Sequence, residues 1–325
     1  MKLGLGCLVS VAANCHASAQ QPAENVQQRH FVFTYSGTIK GIAPDARVRV
    51  WIPVASDSEH QQIIKMTSNL PVESEITEES RHGNRMIYFE LNNNAADEIP
   101  FSIEYEVQRN ELRGLQDNDL QLDSDARARY LQANRLVPVD GKPLELIADW
   151  TAPEDDVVRA RQLYDRVLEY MTYDKSVPGY GNGDTNWACD SRTGNCTDFH
   201  SLFISLARSQ KLPLRFAIGF PLLAERGQGM VGGYHCWASF FVDGKGWTPV
   251  DISEADKHPE LAEYYFGNLT EDRLTFSSGR DLTLEPPQDG EPLNYFVYPY
   301  VEVDGLPLDK QQMELEFRFV DKASD

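Results

Sequence analysis

The chain has 325 residues, of which 41% are hydrophobic and 25% are charged, a composition typical of globular proteins. Acidic residues outnumber basic residues by 50 to 30, and the formal net charge is −20. This balance argues against nucleic acid or an anionic membrane surface as a partner, because both require a basic protein surface. No apolar run reaches the roughly 18 residues that a membrane helix needs, so we expect no membrane insertion.

The N-terminus has the pattern of a secretory signal peptide. A short basic start at residues 1–2 precedes an apolar run at residues 3–13, and an Ala-Ser-Ala cleavage site follows at residues 17–19. We therefore expect residues 1–19 to be removed and the mature protein to be exported, either periplasmic or extracellular. An apolar N-terminus on a cytosolic protein is the alternative interpretation.

Strand-like alternation of apolar and polar residues dominates residues 29–110. Turn residues separate several short β-rich runs, and this spacing predicts an antiparallel sandwich. We assign residues 20–125 to a β-sandwich-like N-terminal domain. It shows no nucleophile–base pair and no metal-ligand cluster, so we expect it to support or bind rather than to catalyse.

Helical signals begin after this domain, and we assign residues 126–149 to a linker or helical connection. Residues 150–325 are predicted to form a second domain with a C-terminal β extension, which makes the fold class α+β. Helical periodicity covers residues 157–171 and 197–209, and strand patterns cover residues 214–220, 234–242, 247–251 and 313–320.

A cysteine at a predicted helix start is the first candidate for chemistry. Cys196 follows Gly194 and Asn195 and opens the amphipathic segment 197–209. The unpaired amides and partial positive charge of a helix N-terminus stabilise a thiolate and lower the pKa of a cysteine. A small buried core cysteine is the structural alternative. We interpret Cys196 as a nucleophile.

A histidine and an aspartate flank a predicted hairpin. His235 enters one strand, Asp251 ends the next, and the turn at residues 243–246 lies between them. The two residues are at nearly matching distances from that turn, so their side chains are expected to be cross-strand neighbours. An aspartate beside an imidazole fixes its tautomer and supports its charged form. Taken alone, Asp251 would be a strand-end turn residue.

The segments GNCTDFHSLFISLARSQKLPLRF and YHCWASFFVDGKGWTPVD closely resemble the core of the transglutaminase-like superfamily. The resemblance covers about residues 150–255 and implies a papain-like fold in which a helix bearing Cys196 packs on an antiparallel sheet. It also implies a catalytic triad of Cys196, His235 and Asp251, and structural roles for Arg208 and Arg215. The flanking segments resemble the bacterial exported branch of this family.

The resemblance implies thiol-dependent acyl transfer on amide or peptide bonds, with no cofactor and no metal. The chain lacks the acidic calcium loops of animal transglutaminases, which favours protease-like or amidase-like hydrolysis over protein cross-linking. The expected substrate is a peptide or protein amide, with cell-wall peptides among the candidates. The alternatives are a transglutaminase that transfers glutamine acyl groups to amines, and a non-catalytic periplasmic binding protein that retains the fold.

Signal cleavage would leave three cysteines, an odd number that predicts a free thiol. A zinc site containing Cys189 and Cys196 is disfavoured, because the spacing between them is too long for a zinc knuckle. A disulfide between Cys189 and Cys236 is expected instead in an oxidising compartment. Strand alternation should turn Cys236 away from His235 and hence from the nucleophile.

The oxyanion donors are expected to include the backbone amide of Cys196. The family resemblance implies an additional side-chain donor, for which Trp187 and Asn195 are the candidates. Asp198 is expected to be a charge favoured by the helix dipole, and His200 to be packed or solvated.

Overall fold

The computed structural model describes residues 26–92 and 97–323, so the expected signal peptide at residues 1–19 lies outside the described residues. The strands are β1 Gln28–Lys40, β2 Val48–Val54, β3 Gln61–Asn69, β4 Glu75–Glu78, β5 Arg85–Leu91, β6 Glu98–Asn110, β7 Leu112–Arg113, β8 Thr172–Tyr173, β9 Thr193–Gly194, β10 Leu214–Pro221, β11 Gln228–Met230, β12 His235–Val242, β13 Gly246–Val250, β14 Asn268–Leu269, β15 Arg273–Ser278, β16 Tyr300–Val303, β17 Leu306–Pro307 and β18 Met313–Asp321.

The α-helices are α1 Ser124–Leu131, α2 Asp156–Tyr170, α3 Thr185–Ser191, α4 Cys196–Ser209 and α5 Ile252–Lys257. Short 3₁₀ helices cover Lys142–Ile147, Pro259–Leu261 and Lys310–Gln312. In the part of the chain that the structure describes, no helix is long and apolar enough to cross a membrane.

Two five-stranded antiparallel sheets form the β-rich part of the molecule. One has the strand order β11-β18-β1-β6-β3, and the other has the order β17-β16-β2-β5-β4. On β1, alternate residues such as Phe31, Phe33 and Tyr35 are fully buried, and they share one hydrophobic core with Val48 and Val50 of β2. The inward faces of both sheets therefore bury the same core, as expected of a sandwich-like arrangement.

The C-terminal strands complete these two sheets. β18 pairs with β1, so that Phe319 lies opposite Phe33, and β16 pairs with β2, so that Tyr300 lies opposite Trp51. The expected boundaries differ from this arrangement, because they assign all of residues 150–325 to the second domain. Strand periodicity identifies a strand but not its partner, and the partners here are more than 200 residues apart in sequence.

A four-stranded antiparallel sheet with the order β13-β12-β10-β15 supports the helical part. Helix α4 packs on β12 and β10, and the helices α2, α3 and α5 contact its other sides. Because it is covered on all sides, α4 is buried along its length from Cys196 to Arg208. The α+β fold class, with the cysteine-bearing helix on an antiparallel sheet, is confirmed.

Aromatic side chains join the two parts into one continuous core. Tyr35 of β1 packs edge-on against Phe220 of β10 and Phe276 of β15, with ring centroids 5.8 Å apart in both pairs. Phe317 of β18 lies 4.3 Å from Phe220, measured between ring centroids. This shared core fixes the four-stranded sheet, and with it the candidate site, against the β-rich part.

Candidate active site

Helix α4 begins at Cys196, and the residues on either side of Cys196 form a capping box. Asn195 Oδ1 accepts a hydrogen bond from the Thr197 amide at 2.8 Å, and Asp198 Oδ2 accepts one from the Asn195 amide at 2.9 Å. Gly194 has a φ of +154°, and a Cβ there would come within 2.5 Å of the Asp198 side chain. In the described part of the chain, the Cys196 amide has no acceptor, so it is available to an oxyanion.

Asp198 has contacts beyond the favourable interaction of its charge with the helix dipole. It is fully buried, and it also accepts hydrogen bonds from the amides of Gly181 at 2.7 Å and Gly183 at 2.9 Å. Burial raises its pKa despite these amide donors. The carboxylate thus ties the glycine-rich segment at residues 179–183 to the start of α4.

His235 and Asp251 are joined across the β12–β13 hairpin. Val250 pairs with Ala238, so Asp251 is two residues out of register with His235 and lies diagonally opposite it. His235 Nε2 and Asp251 Oδ2 are 2.6 Å apart, and both residues are almost completely buried. The charge of Cys196 also acts on this imidazole, since it is one of the causes of its raised pKa.

The ionisation of these three groups is mutually dependent. Burial opposes the imidazolium, but the charges of Asp251 and Cys196 outweigh it and raise the pKa of His235 to about 9. Burial also opposes the thiolate, but a hydrogen bond from Cys236 and the charge of His235 together hold the pKa of Cys196 well below its usual range. A thiolate–imidazolium pair is therefore the favoured state near neutral pH.

Arg273 of β15 is a fourth member of this charge network that sequence patterns do not identify. Its Nη2 lies 2.7 Å from Asp251 Oδ2, the oxygen that also contacts His235. Burial opposes the charge of Asp251, yet His235 and Arg273 together hold the pKa of Asp251 well below its usual range. Asp251 Oδ1 also caps α5 by accepting from the Glu254 amide at 3.0 Å.

His200 links Cys196 to α5, the helix that Asp251 caps. Its Nδ1 lies 2.7 Å from the carbonyl oxygen of Cys196, and its Nε2 accepts a hydrogen bond from the Ile252 amide at 3.1 Å. Since Nε2 is an acceptor, Nδ1 carries the proton and the ring is neutral, which agrees with burial lowering its pKa. His200 is thus a buried bridge between α4 and α5.

The expected disulfide is absent from the described part of the chain. Cys189, Cys196 and Cys236 are all free thiols, so the expected bridge between Cys189 and Cys236 is not formed. Cys236 Sγ instead lies 3.8 Å from Thr197 Oγ1 and 3.7 Å from His200 Nδ1, both on α4. Alternation does turn Cys236 away from His235, but it turns it toward the helix face, where α4 presents the nucleophile candidate.

The two side-chain oxyanion candidates lie on different elements. Asn195 caps α4, and its Nδ2 donates to the hydroxyl of Tyr234 at 3.0 Å. Trp187 lies on α3, with its indole so close to Gly179 that a Cβ there would come within 2.6 Å of the indole nitrogen. Neither contact tests an oxyanion role, which stays a prediction. No sequence pattern predicts the contact between Asn195 and the hydroxyl of Tyr234.

Arg208 and Arg215, the two arginines that the family resemblance marks as structural, have different surroundings. Arg208 donates to the carbonyl oxygens of Gln132 at 2.7 Å and Leu214 at 2.9 Å, as a structural residue would. Arg215 stacks over the ring of Trp247 at 4.4 Å and donates to no acceptor among residues 26–92 and 97–323.

The chain is similar to known proteins in both sequence and structure. Residues 146–252 match the family model of the transglutaminase-like superfamily. An uncharacterized protein of Haemophilus influenzae is 26% identical over 98% of this chain and 98% of its own length. The crystal structure of a proposed cysteine protease from Cytophaga hutchinsonii superposes with a TM-score of 0.61 at 16% identity, covering 93% of this chain and 94% of that chain. The structural likeness shows that this fold extends over nearly the whole of both chains.

Proposed function

From the premise that residues 146–252 form a transglutaminase-like core, we propose that the protein is a thiol-dependent enzyme that hydrolyses amide or peptide bonds. In this proposal Cys196 is the nucleophile, His235 is the acid–base residue and Asp251 orients and charges the imidazole. The observation that carries it is the buried contact between His235 Nε2 and Asp251 Oδ2 at 2.6 Å, together with a buried cysteine at the start of α4 whose charge raises the pKa of that imidazole.

The proposed reaction begins with the thiolate of Cys196. It attacks the carbonyl carbon, and the resulting oxyanion accepts a hydrogen bond from the Cys196 amide. The imidazolium of His235 then protonates the departing amine, the C–N bond breaks, and a thioester remains on Cys196. The neutral imidazole next takes a proton from water, hydroxide attacks the thioester, and the acid product leaves with the thiolate restored.

Hydrolysis is preferred here to cross-linking because the Cytophaga hutchinsonii structure, which has the same fold, is a proposed cysteine protease. This is support by fold analogy, and for the substrate it extends only to a peptide. Cell-wall peptides stay one candidate within that class. The signal-like pattern at residues 1–19 supports action outside the cytoplasm. N-terminal sequencing of protein from its own host should then find Gln20 first.

The test combines an acyl-donor peptide library with two cysteine variants. The unaltered protein should release amine from at least one peptide, and Cys196→Ala should not, whereas Cys189→Ala should behave as unaltered. Adding a fluorescent primary amine separates the two acyl-transfer outcomes. Stable incorporation of the amine in place of release of the acid would indicate a transglutaminase.

Two results would contradict the proposal. Amine release that survives Cys196→Ala would remove the thiol from the mechanism. Saturable peptide binding with no acyl-enzyme at Cys196 by mass spectrometry would indicate a binding protein that retains the fold.

A further inference from the structure

A cavity of about 330 Å³ lies on the face of the four-stranded sheet that is turned away from α4. Arg215 of β10 and Ser239 of β12 are cross-strand partners on its wall, whereas Cys236 has the opposite alternation and faces α4. Arg109 of β6 contributes from the β-rich part, and the exposed residues 57–59 form the mouth. We call this space the arginine cavity.

Neither arginine of the arginine cavity has a hydrogen-bonded or ion-paired acceptor among the described residues, although the charge of Glu59 at the mouth acts on Arg215. Arg109 is only 3% exposed, its Nε is buried without a hydrogen bond, and its guanidinium has no acceptor within the described ranges. Arg215 is half-buried and contacts the face of Trp247, again with no hydrogen-bonded or ion-paired acceptor there. A buried charge without a counter-charge is strongly unfavourable, so the buried Arg109, with the half-buried Arg215 beside the same cavity, indicates a site for an anion.

Other buried arginines in the molecule do have acceptors. Arg29, the cross-strand neighbour of Arg109 on β1, contacts Asp272 at 2.5 Å and Asp321 at 2.7 Å. Arg273 contacts Asp251 at 2.7 Å. The fold therefore provides counter-charges to buried arginines elsewhere, and the absence of one at Arg109 is a property of this cavity.

The other polar groups of the cavity suit an anion. Burial lowers the pKa of His60, and it lowers that of His82 to about 4, so both rings are neutral and each offers an N–H donor. Ser239 adds a buried hydroxyl. The carboxylates of Asp57 and Glu59 lie at the exposed mouth, where Asp57 accepts from the Ile63 amide at 2.7 Å. Negative charge is thus confined to the rim.

We propose that the arginine cavity binds a small ligand through an anionic oxygen group, a phosphate or a carboxylate, held by Arg109 and Arg215. Guanidinium groups bind both oxyanions through paired charge-assisted hydrogen bonds. A volume of about 330 Å³ admits a ligand larger than the anionic group alone. This site does not depend on the proposed catalytic function, because it contains none of the three catalytic candidates.

Isothermal titration calorimetry with inorganic phosphate and, separately, with citrate tests the proposal at constant ionic strength. At least one anion should bind saturably, and the one that binds more tightly identifies the source as phosphate or carboxylate. Arg109→Met and Arg215→Met should each weaken binding by about tenfold or more, because each removes charge-assisted hydrogen bonds. Arg318→Met, at an exposed position on β18, and Cys196→Ala should bind as the unaltered protein does.

The proposal is overturned if neither anion binds saturably at millimolar concentration, or if binding is unchanged in both Arg109→Met and Arg215→Met. Should Arg109→Met fail to fold, the half-buried Arg215→Met decides the outcome alone.

Discussion

Two groups of charged side chains lie along strand β12, one at His235 and one beside Ser239, and they differ in how their charge is balanced. His235 opens the strand, and Asp251, Arg273 and Cys196 surround it so that each charged group contacts an opposite charge. Ser239 lies on the same face, roughly 13 Å further along. Its cross-strand partner Arg215 has no hydrogen-bonded or ion-paired acceptor in the described part of the chain.

Under the two proposals made above, this difference separates groups that are held for chemistry from groups that are held for a ligand. At the His235 end, mutual pairing fixes protonation states and side-chain positions before any substrate arrives, which is what preorganised catalysis requires. In the arginine cavity, the missing partner leaves donors and charge available. The same sheet thus supports a site complete in itself and a site that a ligand would complete.

The largest expected effect comes from removing the imidazole at the catalytic end. His235→Ala should lower kcat/KM for peptide hydrolysis by about a thousandfold or more, since both thiolate formation and protonation of the leaving amine depend on it. The matched control is His30→Ala, whose partly exposed side chain contacts Glu106 on β6. A loss of less than tenfold in His235→Ala, with normal circular dichroism, would mean that His235 is not the acid–base residue.

Stability measurements on two arginine variants test the comparison directly, because the same substitution should have opposite effects. Arg273→Met removes one of the two cations that contact the buried Asp251 and should reduce the free energy of unfolding by about 3 kcal/mol. Arg109→Met removes an unpaired buried charge and should leave the free energy of unfolding unchanged or raise it. Urea denaturation of both variants in a phosphate-free buffer gives the two values. Equal destabilisation would show that Arg109 has a partner after all.

The pH dependence of hydrolysis should follow the raised pKa of His235. The protonated imidazole is needed to expel the amine, so kcat/KM should fall about tenfold per pH unit as pH rises above about 9. The contribution of His235 to folding stability also decreases as pH rises. A group whose pKa is raised by folding stabilises the folded state fully below its ordinary pKa of about 6.5, and that contribution is lost as pH rises through about 9. An activity limit near pH 6.5 would contradict the pairing with Asp251 and Cys196.

A smaller effect is expected from the neighbouring thiol. Cys236 donates a hydrogen bond that stabilises the thiolate of Cys196, so Cys236→Ala should raise the pKa of Cys196 and slow its alkylation at acidic pH several-fold. Cys189→Ala is the control, because the main causes of the lowered pKa of Cys196 are its contacts with Cys236, His235 and His200. No change in Cys236→Ala would mean that His235 alone sustains the thiolate.

The sequence predicts the local parts of this arrangement and not the distant ones. The Asn-Cys-Thr-Asp start of α4 and the turn before β13 are short-range patterns, so they predict a helix-opening cysteine and a hairpin that joins His235 to Asp251. Arg273 is 22 residues beyond Asp251, on a strand that reaches it only through sheet pairing. No periodicity in the sequence marks that contact.

The same limit explains why no sequence pattern predicts the arginine cavity or the pairing of the C-terminal strands with β1 and β2. Arg109 and Arg215 come from strands in different sheets, and an arginine without a partner has no sequence pattern of its own. The prediction for Cys236 failed for a related reason. Strand alternation correctly predicts that Cys236 and His235 point to opposite faces of the sheet. The hairpin pattern does not predict that α4 packs on the face to which Cys236 points.

The most direct test of the central claim is the rate of iodoacetamide alkylation at Cys196 and Cys189, resolved by peptide mass spectrometry between about pH 5 and pH 9. The thiolate–imidazolium pair predicts a rate at Cys196 that is nearly independent of pH in this range. Burial raises the pKa of Cys189 to about 11, so its rate should be far lower and should rise about tenfold per pH unit. If the rate at Cys196 also rises tenfold per unit up to about pH 9, its thiol is neutral at physiological pH, and the preformed ion pair with His235 does not exist.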